Sequence, residues 1–112
     1  MNLPLVPIET LADLLKGLTQ REPCNLQLQT SILSPHSITL PPGFWLTGKD
    51  KDACMLSFNH GDGIGLTADN RVERLTVMTT PSARAIYART GLSDLGRIRL
   101  SELTVTGQVS AR

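Results

Sequence analysis

The residues best suited to chemistry lie in one short run, Asn59-His60-Gly61-Asp62-Gly63. It offers an imidazole and a carboxylate, a pair that serves general acid–base catalysis. The spacing argues for a different use. Residues two apart in a glycine-containing segment seldom hold a fixed mutual geometry, whereas glycine supplies positive φ and Asp or Asn closes a bend. The run therefore reads as a turn between strands, with His60 and Asp62 kept as candidate binding residues. Asp50, Asp52, Asp69 and Asp94 add further carboxylates. Glycoside hydrolysis needs two of them at a set separation. Here they are scattered through turn-like sequence, and solvated turn positions account for them. Phe44-Trp45 is the only aromatic pair. Alternation around Leu40, Phe44 and Leu46 turns one ring inward and the other outward. An outward Trp45 would stack on a sugar ring or anchor an interface, and packing is the favoured role.

Metal and cofactor chemistry find no pattern. Cys24 and Cys54 are too few for a zinc site alone, and His36 and His60 do not fall at zinc-ligand spacing. No catalytic, metal or cofactor residue is assigned, and the expectation leans away from an enzyme. The formal net charge is +1, which predicts no strong attraction to nucleic acid or to an anionic membrane. Arg71, Arg74, Arg84, Arg89, Arg97, Arg99 and Arg112 crowd the second half. They alternate with apolar residues, as outward strand positions do. No run approaches the ~20 apolar residues that span a bilayer. The start, Met1-Asn2-Leu3-Pro4, lacks the basic, then apolar, pattern of a secretory leader. The expectation is a cytoplasmic protein with both thiols reduced and used as small apolar side chains.

The 112 residues suit one domain, 1–112. Leu11, Leu14, Leu15 and Leu18 fall at helical spacing. With Pro7 suited to a first turn, Glu9 to the positive end of the dipole and Gly17 near a C-terminal stop, they predict a capping helix over 7–18. After Pro23 the period changes from 3.6 to 2. Leu26-x-Leu28, Ile38-x-Leu40, Leu56-x-Phe58, Ile64-x-Leu66, Leu75-x-Val77, Ile98-x-Leu100 and Leu103-x-Val105 are short alternating runs between Gly, Pro, Asn and Asp. They predict an all-β region over 24–109.

A repeat orders these strands. Val72-x-x-Leu75-Thr76-Val77 returns as Leu100-x-x-Leu103-Thr104-Val105, 28 residues later at each matched position. Three segments open on Ile38, Ile64 and Ile86, at offsets of 26 and 22. A period in the twenties built of short strands is the signature of a solenoid coil. Each coil pairs in parallel with the one above and below. The segment Ile38-Thr-Leu-Pro-Pro-Gly-Phe-Trp-Leu-Thr-Gly48 resembles the first coil of right-handed parallel β-helix proteins of the pectin-lyase-like type. Gly63 through Val77 is similar to one of their ordinary coils. The resemblance covers roughly residues 7–109. It implies a short right-handed parallel β-helix of three to four coils, with Asn70 at a turn held by an αL conformation or an amide stack. Activity does not follow, because that fold hosts lyases, hydrolases, esterases and tailspikes. Their glycoside hydrolases carry adjacent aspartates and an Arg-x-Lys; Arg97-Ile-Arg99 lacks the lysine. A small antiparallel β-sandwich or roll on one helix is the alternative, supported by the Asp62-Gly63 turn.

The last coil ends near Val109 with no second helix to cover it. An uncovered coil leaves strand edges and apolar faces open. Leu100, Leu103, Val105 and Val109 are therefore candidate interface residues. The expected partner is a second copy of the chain in a two-fold dimer. The expected function is a non-enzymatic binding or structural module, with carbohydrate as a candidate ligand. The alternative is a carbohydrate-active β-helix enzyme or a fragment of one.

Overall fold

The computed structural model describes residues 3–50, 54–80, 82–88 and 98–110. Strands β1 (Leu5–Ile8), β2 (Asn25–Leu28), β3 (Ile32–Ser34), β4 (Ile38–Thr39), β5 (Trp45–Gly48), β6 (Met55–Phe58), β7 (Ile64–Leu66), β8 (Arg71–Met78), β9 (Arg84–Ala88), β10 (Arg99–Thr106) and β11 (Gln108–Ser110) accompany one helix, α1 (Leu11–Gly17). Every strand pairing among the described residues is parallel. The chain winds into a parallel β-solenoid of about four turns. One side stacks β1, β2, β5 and the first halves of β8 and β10. A second stacks β3, β6 and the second halves of β8 and β10. The third stacks β4, β7, β9 and β11. The antiparallel alternative is excluded. The Asp62-Gly63 turn joins β6 to β7 on different sides of the coil instead of closing a hairpin.

The sequence offsets are the register. Leu100, Leu103, Thr104 and Val105 pair with Val72, Leu75, Thr76 and Val77, 28 residues apart throughout. Ile38, Ile64 and Ile86 form one column on the third side. Side chains alternate along each strand, so Leu26, Leu46 and Val72 stack inward on the first side. Leu56 and Val77 do so on the second, and Ile64 and Ile86 on the third. All are fully buried.

The corners explain the remaining special residues. β5 pairs with Arg71–Glu73 and β6 with Thr76–Met78, so β8 turns the corner within one strand. Arg74 makes that bend at φ 58, and its counterpart one turn on, Glu102, does so at φ 50. Gly48 sits beneath this bend, where a Cβ would collide with the Arg74 carbonyl. The preceding corner, between β7 and β8, is tied by Asn70, whose side chain is buried. Its Nδ2 donates to the carbonyls of Pro41 at 2.9 Å and Phe44 at 3.1 Å, and its Oδ1 accepts from the Thr67 N–H at 2.7 Å. The αL residue is Asp69, at φ 54, and not Asn70. Asn70 acts through its amide, which joins two successive turns.

The N-terminal helix is shorter than its leucine spacing predicts. Residues 5–8, including Pro7, form β1. The helix starts after Thr10, where a capping box closes it. Thr10 Oγ1 accepts from the Asp13 N–H at 3.1 Å, and Asp13 Oδ2 accepts from the Thr10 N–H at 3.2 Å. The carboxylate at the N-terminus is thus Asp13, not Glu9. Leu14 is buried, Leu11 and Leu18 half-buried, and Leu15 exposed. Gly17, the last helical residue, is required by packing: a Cβ would lie 2.7 Å from Leu26 Cδ2.

Candidate functional site

Asp62 and His60 do not form a working pair. His60 is exposed beside Gly61, which takes φ 67. Asp62 is held across the coil by Arg84. Its Oδ2 accepts from Arg84 Nη2 at 2.7 Å and Nε at 3.2 Å, and its Oδ1 accepts from the Arg84 backbone N–H at 2.9 Å. These bonds hold the Asp62 carboxyl below the usual carboxylate range. The same guanidinium lies over the Tyr87 ring, 4.5 Å from its centroid. Tyr87 in turn packs against Gly65, where a Cβ would lie 3.1 Å from the Tyr87 Cζ and hydroxyl. Asp62, Arg84, Tyr87 and Gly65 therefore form one stack on the outside of the third side. Its polar atoms are directed at one another, which suits a clasp between turns more than a reacting centre.

Trp45 points outward from the first side and is half-buried, while Phe44 fills the interior. Arg71, directly above it in the next turn, places its guanidinium 4.0 Å from the indole centroid. Arg71 also approaches Glu73 at 3.7 Å. Glu73 accepts from the Ser101 hydroxyl one turn on at 2.8 Å, and Thr47 donates to Asn25 at 2.7 Å. The outer face of this side is thus a ladder of Asn25, Trp45 and Arg71 beside Gln27, Thr47, Glu73 and Ser101. Arg71 already covers one face of the indole, so Trp45 serves as a packing partner there.

Sequence reasoning missed Arg84, Tyr87, Arg71 and Glu73 as partners, yet the signal was present. The 22-residue offset of Ile64 and Ile86 also separates Asp62 from Arg84. The 26-residue offset of Ile38 and Ile64 also separates Trp45 from Arg71.

Both thiols are free and buried. Cys54 donates to the Leu28 carbonyl at 3.2 Å, and burial pushes the Cys24 thiol up, so both serve as core side chains. Cys24 also lines an open cleft of about 460 Å³ with Pro4, Val6 and Pro23 at the N-terminal end. Among the described residues no three His, Cys, Asp or Glu side chains gather as metal ligands. No helix among them is long and apolar enough to cross a membrane. Asp52 and Asp94 lie outside the described residues.

The two ends of the coil differ. At the N-terminal end, Ile8 and Leu14 are fully buried under α1. At the other, Ile98, Leu100, Leu103 and Val105 are only half-buried. Their column partners Val72, Leu75 and Val77 are sealed. Val109 pairs in register with Ile86 through β11; its side chain lies outside the description. The fold is a parallel β-solenoid of about four turns. No family model matches the chain, and neither a curated protein nor a solved structure matches it.

Proposed function

We propose that this chain is a non-enzymatic β-helix module, akin to the pectin-lyase-like proteins, that self-associates as a homodimer through its C-terminal coil. The half-exposure of Leu100, Leu103 and Val105, against full burial of the same columns one turn earlier, carries the reading. Magnitudes narrow it further. Ile98, Leu100, Leu103 and Val105 from two copies would each gain roughly 1 kcal/mol on being covered. That sum is comparable with the ~4–15 kcal/mol that association costs. Apolar contact alone therefore leaves little net affinity, and pairing of the strand edges would add to it.

The carbohydrate-active reading has less support. Asp62 is bound to Arg84, and one face of Trp45 is taken by Arg71. Two free, buried thiols suit a reducing compartment, so we place the module in the cytoplasm. It binds neither nucleic acid nor membrane in this reading, and carbohydrate is a candidate ligand only for the outer ladder around Trp45. Sedimentation velocity of the 112-residue chain at micromolar concentration tests the core of the proposal. A dimer is expected, and Leu103→Asp should shift it to monomer while far-UV circular dichroism stays β-rich. A parent chain that remains monomeric overturns the reading.

A further inference from the structure

The sequence holds one Asp-Gly pair, Asp62-Gly63, and no Asn-Gly. Asp-Gly is the aspartyl junction that rearranges most readily in an unconstrained chain, because glycine leaves the attacking nitrogen unhindered. The Gly63 nitrogen adds to Asp62 Cγ. The carboxyl hydroxyl and the proton of that nitrogen depart together as water, and a five-membered succinimide remains. Water then opens either ring carbonyl, restoring the lost atoms. One opening returns the normal link, and the other gives a main chain that runs through the Asp62 side chain. No oxidant, reductant or further reactant is needed.

The coil itself requires this labile pair. Gly63 is buried, and a Cβ there would collide with the Ala85 carbonyl oxygen and lie 3.0 Å from two carbons of the Phe58 ring. Asp62 answers a backbone need. β7 starts only at Ile64, so the Arg84 N–H at the start of β9 meets no strand carbonyl, and Asp62 Oδ1 accepts it at 2.9 Å. Water reaches the junction, since the Asp62 side chain is 28% exposed.

Arg84 holds both reacting groups. Its carbonyl accepts from the Gly63 N–H at 2.8 Å, which occupies the attacking nitrogen. Its backbone N–H, Nη2 and Nε donate three bonds to the Asp62 carboxyl. Tyr87 fixes the guanidinium from the other side. Ring closure requires the Gly63 N–H to leave the Arg84 carbonyl and the carboxyl to swing off Arg84 toward that nitrogen. The bonds to Arg84 also favour the ionised carboxylate, which has no hydroxyl to lose as water.

We propose that Asp62-Gly63 is a latent site of spontaneous aspartyl isomerisation, and that Arg84 is the residue that keeps it closed. A link through the side chain adds one carbon to the main chain directly before β7. It would slide Ile64 out of its column with Ile38 and Ile86, so a single event loosens the third side across three turns.

Incubation at neutral pH and body temperature in heavy-oxygen water tests this. Each succinimide opening places one heavy oxygen in the peptide that holds residue 62, read by mass spectrometric peptide mapping. Chromatography separates the isoaspartyl peptide from its normal isomer. Four samples are compared: the folded parent, the parent unfolded in guanidinium chloride, Arg84→Ala and Arg71→Ala. Arg84→Ala removes the guanidinium and keeps the main-chain bonds. Arg71→Ala removes the stack on Trp45 and leaves Asp62 untouched. The folded parent should label at least about tenfold more slowly than the unfolded chain. Arg84→Ala should label about fivefold faster than the folded parent, the scale of an exposed ion pair, with Arg71→Ala at the parent rate. A folded parent that labels as fast as the unfolded chain, or an Arg84→Ala variant no faster than the parent, overturns the proposal. Equal acceleration in Arg71→Ala assigns the effect to general loosening and removes the role of Arg84.

Discussion

Removing the Asn70 amide should cost more stability than any other polar truncation in the coil, and the sum can be worked from its bonds. The side chain is 1% exposed and serves three backbone groups on two turns: the carbonyls of Pro41 and Phe44 and the Thr67 N–H. Each bond contributes about 1 kcal/mol net, and a buried donor left without a partner adds about 1–3 kcal/mol. The Pro41 carbonyl keeps the Phe44 N–H as a second donor, at 3.1 Å, so Thr67 bears most of the added penalty. Asn70→Ala should therefore destabilise by about 4 kcal/mol, a large part of the ~5–15 kcal/mol that holds an ordinary domain. Trp45 is the sole tryptophan and follows Phe44 in sequence, so its fluorescence in a urea titration reads this corner directly, with far-UV circular dichroism as the global probe. Asn70→Asp separates hydrogen bonding from shape. A carboxylate would aim negative charge at two carbonyls, so the folded state favours the protonated acid and raises its pKa. The folded state then binds more protons than the unfolded one, and stability falls as pH rises past about 4. Relative to the parent, Asn70→Asp should lose more at pH 7 than at pH 4. A loss below about 1 kcal/mol for Asn70→Ala, or no pH contrast for Asn70→Asp, would refute the bridging role.

Two further outcomes follow from the corners and the outer stack. Gly48→Ala places a Cβ against the Arg74 carbonyl and should cost about 3 kcal/mol or more, since backbone must move, whereas Gly61→Ala meets nothing and should cost only the ~1 kcal/mol of a left-handed residue; paired urea midpoints decide. Asp62 has its pKa lowered by Arg84, so its stabilisation is present above the unfolded carboxylate pKa and fades as pH falls through the folded value. Thermal melts of the parent and Asp62→Asn should differ most near neutral pH and converge on acidification, and a gap that widens in acid would contradict the pairing.

Much of the solenoid was legible because its stacking repeats a sequence pattern. Val72 to Val77 and Leu100 to Val105 match in type as well as spacing, so their register could be read before any coordinates. The Ile38, Ile64 and Ile86 column shows that a one-residue anchor suffices even when loops change the period from 26 to 22. The helix boundary failed for a local reason. Leucine spacing reports which face is buried, not where the backbone starts to coil, and the decisive signal was Thr10-x-x-Asp13, a side-chain cap. The outer clasps failed for another reason. Asp62 with Arg84 and Trp45 with Arg71 are neighbours only across turns, and no alternation within a strand reveals them. They emerge when the coil offset is applied to polar residues as well as to the apolar ones that disclosed it.

That distinction bears on what the ends of the coil mean. Inside a stack, an inward leucine is fixed by the layers on both sides, so its identity reports packing alone. The first and last described turns differ in how their inward residues are covered. At the N-terminal end the answer is local: Pro7 strips a donor from the edge, Thr10 and Asp13 anchor α1, and Leu14 closes the interior. At the other end the same columns continue with Leu100, Leu103 and Val105, residues that lose free energy when left half in water. Polar residues at those positions would have removed that cost while leaving the β8 pairing intact, because the backbone bonds do not depend on the inward side chain. Glu102 shows that polar residues are accepted in this strand where they face out. The apolar side chains of the last turn therefore continue the inward columns of the turn before it, half-covered where their register partners are sealed.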